Sequence, residues 1–417
     1  MLSWLNIRIG FFLAWRQLRR ASKWTTGLIL FVMILTFLNL VVVSGILVGL
    51  IQGSIDAHRE QYSSDVIIST LNDKAYIENS PQILGVIESQ PGLQAYTARY
   101  SAGGSVEANY KTRKDTDKPN VAATQIVGID PAAEDTVTHL AKYVVDGSYL
   151  SATDYDQVLI GSFLLKQYIP VDNPGFAALD HVEVGTKIRM DVNGTLREVT
   201  VKGILKSKVD NVSRNVYMVN SQFRSLIGRT DGNVAEIAIK LKPGADPIVF
   251  RDALIRSGVA KVAKVQTYVD AQPKFLKDIV ATFATLGNML SSIGLVVASI
   301  TIFIVIFINA LTRKKFIGIL KGIGINGPAI EISYIFQSIF YAVVGSGIGV
   351  LLVYGFLVPL FHAHPIDFPF SDGILVAPFN ETLIRMGLLV LSTVIAGYIP
   401  ARMIVRKNTL DSILGRN

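Results

Sequence analysis

Histidines are the side chains whose type and spacing come nearest to a reactive or metal-binding site in this sequence. The segment HAHPID brings together His362, His364 and Asp367. Alternate residues of an extended segment point to the same side, so the two imidazoles could share a metal ion. A loop at the edge of a membrane, rich in amphipathic residues, explains the same residues without a metal. We favour this second interpretation, because two histidines and one carboxylate are too few for the usual four ligands of a zinc site.

No other sequence pattern indicates catalysis or nucleotide binding. The chain has no cysteine, which excludes disulfides and thiolate metal sites. It contains no G-x-x-x-x-G-K-[ST] phosphate-binding loop, no G-x-S-x-G and no H-E-x-x-H. No acid or base lies near the centre of its long apolar stretches, which argues against ion-coupled transport through this chain. The chain is therefore not expected to bind ATP through such a loop.

The segment TRKKFIGILKGIGINGPAIE (312–331) has a pattern that a plain connecting loop would not need. Apolar residues at steps of three and four follow a basic run and predict a short amphipathic helix. They are Phe316, Ile319, Leu320 and Ile323, with Lys314, Lys315 and Lys321 off that face. Gly322 and Gly324 end the helix, and Gly327–Pro328 begin the next one. Such a helix is suited to docking into a groove on a partner protein.

The composition indicates a protein that is part membrane and part water-soluble domain. Of its 417 residues, 50% are apolar and 17% are charged, values between those of a soluble domain and a membrane bundle. The net charge of +8 comes from three short flanks of apolar stretches, 1–24, 312–330 and 402–417, and the remainder is net acidic. This distribution follows membrane topology and excludes nucleic-acid binding as the explanation.

Four apolar stretches are long enough to cross a bilayer, which takes about 20 residues as a helix. The fold class that we predict is an α-helical membrane protein with four transmembrane helices. A large extracytoplasmic α+β domain is inserted between helices one and two. The predicted segments are an interfacial helix 1–24, transmembrane helices 25–51, 279–311, 329–360 and 382–401, the extracytoplasmic domain 52–275, a coupling helix 312–328, an extracytoplasmic loop 361–381 and a tail 402–417.

The distribution of lysine and arginine predicts the orientation. Both termini and the segment 312–330 are basic, whereas the loop 361–381 has neither lysine nor arginine. By the positive-inside rule, the basic segments face the cytoplasm and residues 52–275 lie outside, in a multi-pass protein of the cytoplasmic membrane.

We do not expect the N-terminal segment 1–24 to be a signal peptide, because the apolar run after it is too long and has no cleavage site. Apolar and aromatic residues at helical spacing predict an amphipathic helix in the interface. They are Ile7, Phe11, Phe12, Trp15 and Leu18. An unstructured basic stop signal is the alternative.

Residues 52–275 show mixed helix and strand patterns. We predict a strand at 65–70 and a helix at 80–89, capped by Ser80 with Pro81 at its first position. Segment 155–168 should pass from strand to helix. Asn193–Gly194 predicts a tight hairpin turn, and the polar segment 105–120 is interpreted as a solvated hairpin tip.

Glycines four residues apart predict close approach of helix backbones. They are Gly45 and Gly49 in the first span, and Gly345 and Gly349 in the third. Packing within one chain and dimerisation explain this spacing equally well.

The segment KFIGILKGIG (315–324) resembles the REIGILKAIG coupling segment of the MacB/FtsX/LolC-type ABC permeases. Further similarities to that family are LAWRQLRR before the first span, the segments 144–168 and 184–205, and PARMIVRKNTLDSI (400–413). The resemblance implies that an ATPase binds Lys315, Phe316, Ile317, Gly318, Ile319, Leu320, Lys321, Gly322, Ile323 and Gly324. The family has an acid where this chain has Phe316, so this contact should be more hydrophobic and basic.

The resemblance further implies a noncatalytic permease subunit that binds no cofactor itself and moves a hydrophobic or amphipathic cargo, such as a peptide, lipid, lipoprotein or drug. ATP and Mg²⁺ would be bound by a separate cytoplasmic ABC ATPase. A second copy or a paralogue would complete the assembly in the lipid bilayer, and an extracytoplasmic protein is a further expected partner. The alternative is an FtsX-like subunit that regulates an extracellular cell-wall hydrolase, although such members have smaller outside domains. A membrane-anchored receptor without an ATPase would leave the pattern at 315–324 unexplained.

Overall fold

The computed structural model describes residues 4–114, 118–169, 177–364, 367–368, 371–372 and 375–406. Parts of the polar segment 105–120, the loop 361–381 and the tail 402–417 lie outside these residues. The helices, in chain order, are α1 (Trp4–Arg19), α2 (Lys23–Leu38), α3 (Ser44–His58), α4 (Ser80–Glu88), α5 (Pro131–Thr138), α6 (Asp210–Ser213), α7 (Asn220–Leu226), α8 (Pro247–Arg256), α9 (Lys274–Thr312), α10 (Lys314–Gly322), α11 (Gly327–Leu352), α12 (Val358–Ala363) and α13 (Phe379–Val405).

The chain divides into two compact units. The helical unit comprises Met1–Ile51, Asp278–Asp367 and Asp372–Asn417, and the α/β unit comprises Gln52–Lys277 and Phe368–Ser371. Each unit has its own hydrophobic core.

Four helical stretches of the described chain are long and apolar enough to cross a membrane. They are Lys23–Ser63, Leu276–Thr312, Gly327–Ala363 and Phe379–Val405. The first joins α2 and α3 through a π-helical turn at Asn39–Val43 and ends in a second π-helical turn at Arg59–Ser63. With 41 residues, it is roughly 60 Å long at 1.5 Å per residue. This is about twice the hydrocarbon thickness of a bilayer.

The α/β unit is built on a mixed sheet. Its strands are β1 (Val66–Ser69), β2 (Leu93–Glu107), β3 (Val121–Ile129), β4 (Val144–Gly147), β5 (Gln157–Gly161), β6 (Lys187–Val192), β7 (Thr195–Leu205), β8 (Asn215–Val219), β9 (Glu236–Leu241) and β10 (Lys264–Thr267). Their order is β10-β1-β9-β2-β3-β8-β5-β7-β4, and β6 pairs with both β2 and β7. Strands β3 and β8 run parallel, as do β5 and β7, and the remaining pairs are antiparallel.

The predicted hairpin at Asn193–Gly194 is confirmed. It joins β6 to β7, with Val192 opposite Thr195. Asn193 and Gly194 have φ of 50° and 84°, and a two-residue hairpin turn of this kind favours asparagine followed by glycine. Alternate residues of β6 are buried in the core of the unit.

Two local predictions in this unit were wrong. Ser80 does not cap α4: the cap position is Asn79, and the Ser80 hydroxyl donates to the Ile77 carbonyl at 2.7 Å. The strand β5 is followed by short 3₁₀ turns instead of an α-helix. The reason is tertiary, because Leu179 exchanges backbone hydrogen bonds with residues 164 and 166 and holds this segment extended between the turns.

Candidate functional site

Helix α10 is a short helix whose ends are defined by local chemistry. It follows the 39-residue helix α9 after a break at Arg313. At its other end, Gly324 has φ of 94°. The Ile325 N–H donates to the Leu320 carbonyl at 3.0 Å, and the Gly324 N–H donates to the Lys321 carbonyl at 3.1 Å. This pair of bonds is the Schellman ending, which places glycine in the left-handed region.

The apolar residues of α10 are divided between two faces. Ile317 and Leu320 are buried in the core of the helical unit. Phe316, Ile319 and Ile323 are exposed, and we call these three residues the α10 surface. The sequence grouped Leu320 with the exposed residues, but the structure places it inside.

Lys321 fixes α10 to the last long helix. Its Nζ donates to the Val405 carbonyl at 2.8 Å, near the end of α13. The buried Ile317 and Leu320 share a core cluster with Val405 and Ile404. The short helix is therefore held by the bundle on one side.

Helix α1 packs on α11 through small and polar residues. Gly10 lies against Ile332, where a Cβ would come within 2.6 Å of the Ile332 Cγ2. Gln17 is buried, and its Oε1 accepts from the Gln337 Nε2 at 2.7 Å. The opposite face exposes Phe12 and Trp15, which the sequence assigned to the interface, whereas the Phe11 ring packs edge-on against Phe336 of α11.

The glycines of the third span make close contacts within the chain. A Cβ at Gly345 would lie 2.5 Å from the Met33 Cβ, and one at Gly349 would lie 2.4 Å from the Phe37 Cδ1. Both glycines therefore allow α11 to approach α2 closely. Gly45 lies against residues 375 and 376, and Gly49 is buried in the same helix.

An arginine that the span assignment overlooked lies in α13. Arg385 donates to the Leu40 carbonyl at 2.9 Å and to the Ser44 hydroxyl, and it pairs with Glu381 at 3.3 Å. These contacts join the fourth span to the π-helical turn of the first. The partly buried cation donates to a backbone carbonyl there, a partner that charges in membrane helices often use.

In the α/β unit, a buried ion cluster holds the π-helical turn Arg59–Ser63. Arg99, 3% exposed, donates from Nη2 to the Glu134 Oε1 at 2.6 Å and to the Tyr62 carbonyl at 2.8 Å. The Tyr62 hydroxyl donates to the Glu236 Oε1 at 2.6 Å. Burial lowers the pKa of Arg99, but the charge of Glu134 and its hydrogen bonds more than offset this and raise the pKa above its ordinary value. The Arg99 guanidinium therefore stays charged, and it is hydrogen-bonded from β2 to the last turn of the first long helical stretch.

Sequence reasoning gave no signal for this cluster. Tyr62, Arg99, Glu134 and Glu236 come from separate elements, up to 174 residues apart. A second contact that it missed joins the same turn to the unit: the Gln61 Oε1 accepts from the Ser207 hydroxyl at 2.6 Å.

The proposed metal-binding segment is not extended at its start. His362 lies in the last turn of α12, and His364 follows it, so the argument from alternating side chains was wrong for this pair. Within the described residues, no group of three or more histidine, aspartate or glutamate side chains could hold a metal ion.

Comparison with known families agrees with this architecture. Residues 26–257 match the model of the MacB-like periplasmic core domain, which covers more than half of the chain. The chain belongs to the MacB/FtsX family. Residues 288–409 match the model of the FtsX-like permease C-terminal part. With its four apolar helices, this member of the MacB/FtsX family is a membrane protein with an extracytoplasmic segment.

Curated relatives include two proteins named macrolide export ATP-binding/permease protein MacB. The one from Hahella chejuensis is 25% identical over 51% of this chain, and the one from Campylobacter fetus is 23% identical over 52%. The aligned region spans only 33% of each relative.

Solved structures with a similarity to this chain include the periplasmic region of MacB from Actinobacillus actinomycetemcomitans, at 15% identity and a TM-score of 0.35. That match covers 54% of this chain and 95% of the other. The extracellular domain of the transporter YknZ from Gram-positive bacteria has 13% identity and a TM-score of 0.31, over 49% of this chain and 99% of the other.

Proposed function

We propose that this chain is the noncatalytic permease subunit of an ATP-driven ABC exporter in the cytoplasmic membrane. A separate cytoplasmic ATPase binds ATP and Mg²⁺ and docks on α10. A second copy of the chain, or a paralogue, completes the permease. The α/β unit is inserted between the first two spans and lies outside the cytoplasm, where it acts on a hydrophobic or amphipathic cargo.

The division of α10 into a fixed side and an exposed side is the observation that carries this proposal. Isolated helices of nine residues are marginal in water, so α10 depends on its buried contacts. Its exposed side is apolar with a basic rim, in a segment that connects two membrane helices. Apolar helix faces of this kind bind in grooves of partner proteins.

We expect the first long helical stretch to transmit movement to the α/β unit, because its last turn is held there. Buried hydrogen bonds from Arg99 and Ser207 hold the turn that ends this stretch. Removing a buried, hydrogen-bonded partner is costly, so the turn and its surrounding strands should move together.

Cross-linking tests the docking site directly. A photoreactive residue replacing Ile319 in the full chain should cross-link to an ABC ATPase in cells, identified by mass spectrometry. Ile248 in α8 is the matched control, since it is 53% exposed and Ile319 is 52% exposed. Capture of the same ATPase from both positions, or none from Ile319, would refute the docking site.

The identified ATPase then allows a functional test. Ile319→Asp should abolish co-purification and the stimulation of ATP hydrolysis, because a charge would lie in an apolar contact. Ile248→Asp should leave both unchanged. Leu320→Asp is unsuitable as the test, since a buried aspartate would disturb the helical unit itself.

The proposed topology can be checked by cysteine labelling, for which the absence of native cysteines gives no background. Single cysteines at Ser257 and Lys315 should differ in intact cells. A membrane-impermeant maleimide should label the first and not the second until the membrane is permeabilised. Labelling of both in intact cells would contradict the assigned orientation.

Two observations favour export over signalling to an extracellular enzyme. The α/β unit is large, and two relatives have names that include macrolide export. The ATPase complex in proteoliposomes should move an amphipathic macrolide or peptide only with ATP. Activation of a cell-wall hydrolase by a complex that transports neither would favour the signalling role.

A further inference from the structure

A basic cavity lies between α1 and the start of α10; it shares Phe316 with the α10 surface but not Ile319 or Ile323. It has a volume of about 290 Å³ and is lined by Leu13, Arg16, Gln17, Arg20, Arg313 and Phe316. The lining thus contains three guanidinium groups and no acidic side chain. Arginine is the residue of choice for binding phosphate, because its planar fork donates two parallel hydrogen bonds.

The positions of the tryptophans indicate the depth of this cavity in the membrane. All three tryptophans of the sequence are in the N-terminal part of the chain. Trp4 and Trp15 lie on α1, Trp24 lies at the start of α2, and all three are exposed. Tryptophan is enriched at the level of the lipid headgroups. Since Arg16 follows Trp15 directly, tryptophans at the headgroup level would place the cavity at the depth of the lipid phosphates.

The surroundings of the cavity also fit a lipid better than a free ion. Phe12 is exposed on α1 one turn before Arg16, and Phe316 gives the cavity itself an apolar wall. A phosphate among the arginines would leave the attached acyl chains next to these aromatic side chains. Basic pockets between membrane helices bind anionic headgroups in this manner.

We propose that this cavity is a binding site for an anionic phospholipid, whose phosphate is held by Arg16, Arg20 and Arg313. The bound lipid joins α1 to the start of α10 and fixes the position of the coupling helix. This inference goes beyond the proposed export function and does not depend on the identity of the ATPase or the cargo.

Lipid binding can be measured on the full chain in neutral detergent by native mass spectrometry. The probes are phosphatidylglycerol and phosphatidylcholine with the same acyl chains. Wild type should retain one phosphatidylglycerol and bind phosphatidylcholine at least about tenfold more weakly. The variant Arg16→Gln/Arg20→Gln/Arg313→Gln should lose about 100-fold in affinity for phosphatidylglycerol, at roughly fivefold for each basic residue.

A matched triple variant controls for the loss of charge. Arg8, Arg19 and Arg402 lie outside the cavity, and each is stacked on an aromatic ring of its own helix. Replacing these three by glutamine removes the same charge. Salt screens the attraction between exposed arginines and an anionic lipid, so phosphatidylglycerol affinity should remain within about threefold of wild type. An equal loss in both triple variants would overturn the proposal.

Phe316→Glu provides a second test without removing an arginine. The carboxylate would lie in the cavity and pair with the guanidiniums, so phosphatidylglycerol binding should fall at least about tenfold. Phe316→Gln should have a much smaller effect. If the variant Arg16→Gln/Arg20→Gln/Arg313→Gln fails to fold, as judged by its melting temperature, the two Phe316 variants and the single variant Arg313→Gln decide the question.

Three further results would overturn the proposal. The first is equal affinity for the two lipids. The second is binding of inorganic phosphate as tight as that of phosphatidylglycerol, which would indicate a site for the free ion. The third is a variant Arg16→Gln/Arg20→Gln/Arg313→Gln that still binds phosphatidylglycerol as wild type does but no longer binds the ATPase. That result would mean that an acidic side chain of the ATPase occupies the cavity. The lipid assay contains no ATPase, so its outcome is independent of whether the export proposal holds.

Discussion

Replacing Arg99 by methionine should destabilise the α/β unit strongly, because it removes the cation from a buried ion cluster. Glu134 is left with a nearly inaccessible carboxylate, and Thr97 and Thr138 remain as its hydrogen-bond donors. The Tyr62 carbonyl loses the 2.8 Å bond from Arg99. Breaking a buried pair from one side costs about 3–5 kcal/mol, which is a large share of the usual stability of a domain.

Amide hydrogen exchange on the full chain in detergent is the appropriate assay. All three tryptophans lie in the helical unit, so tryptophan fluorescence would not report on unfolding of the α/β unit. The most protected amides of β2 and β9 exchange through opening of this unit. A loss of 3–5 kcal/mol should accelerate their exchange by roughly 150-fold to 5,000-fold.

Two further variants separate the buried ion pair from a general effect of losing an arginine. Arg197 pairs with Asp156 at 2.8 Å on the surface, where a pair contributes about 0–1 kcal/mol. Arg197→Met should therefore accelerate exchange by no more than about fivefold. Adding Glu134→Gln to Arg99→Met should recover part of the loss, because the unpaired buried charge is gone. If Arg99→Met exchanges no faster than Arg197→Met, the assigned importance of the cluster is wrong.

Two more predictions concern helix packing and pH. Gly349→Ala should lower the melting temperature of the protein in detergent by roughly 2–12 °C, because its Cβ would overlap Phe37; Gly347→Ala, with open space around it, should not lower it. A hydrogen bond from Lys111, with smaller contributions from other donors, lowers the pKa of Glu198 to about 2. The folded-state pKa of Glu198 lies below its unfolded value, so wild type should have a higher melting temperature than Glu198→Gln at pH 5. This difference in melting temperature should vanish as the pH falls to about 2. A constant difference from pH 5 to 2 in circular dichroism melts would contradict this assignment.

Patterns within single elements allowed much of the fold to be predicted. The Asn193–Gly194 hairpin follows from two adjacent residues that accept positive φ, and the short helix at 314–322 follows from apolar residues at helical steps. The predictions for Ser80 and for residues 162–168 failed because remote partners took over the local hydrogen bonds. The Ser80 hydroxyl accepts from the Val234 N–H at 3.1 Å instead of capping its helix, and Leu179 holds the segment after β5.

The apolar helices, the basic flanks and the amphipathic character of α10 could be predicted from the sequence, because each depends on the composition or periodicity of one continuous segment. Which apolar residues of α10 remain exposed depends instead on the tertiary contacts of the bundle. Leu320 and Ile319 are adjacent and equally apolar, yet the first packs in the bundle and the second faces outward. The cluster around Arg99 and the cavity beside Arg313 likewise bring together residues from distant parts of the chain. Their chemistry arises from charge and burial at contacts that no local pattern specifies.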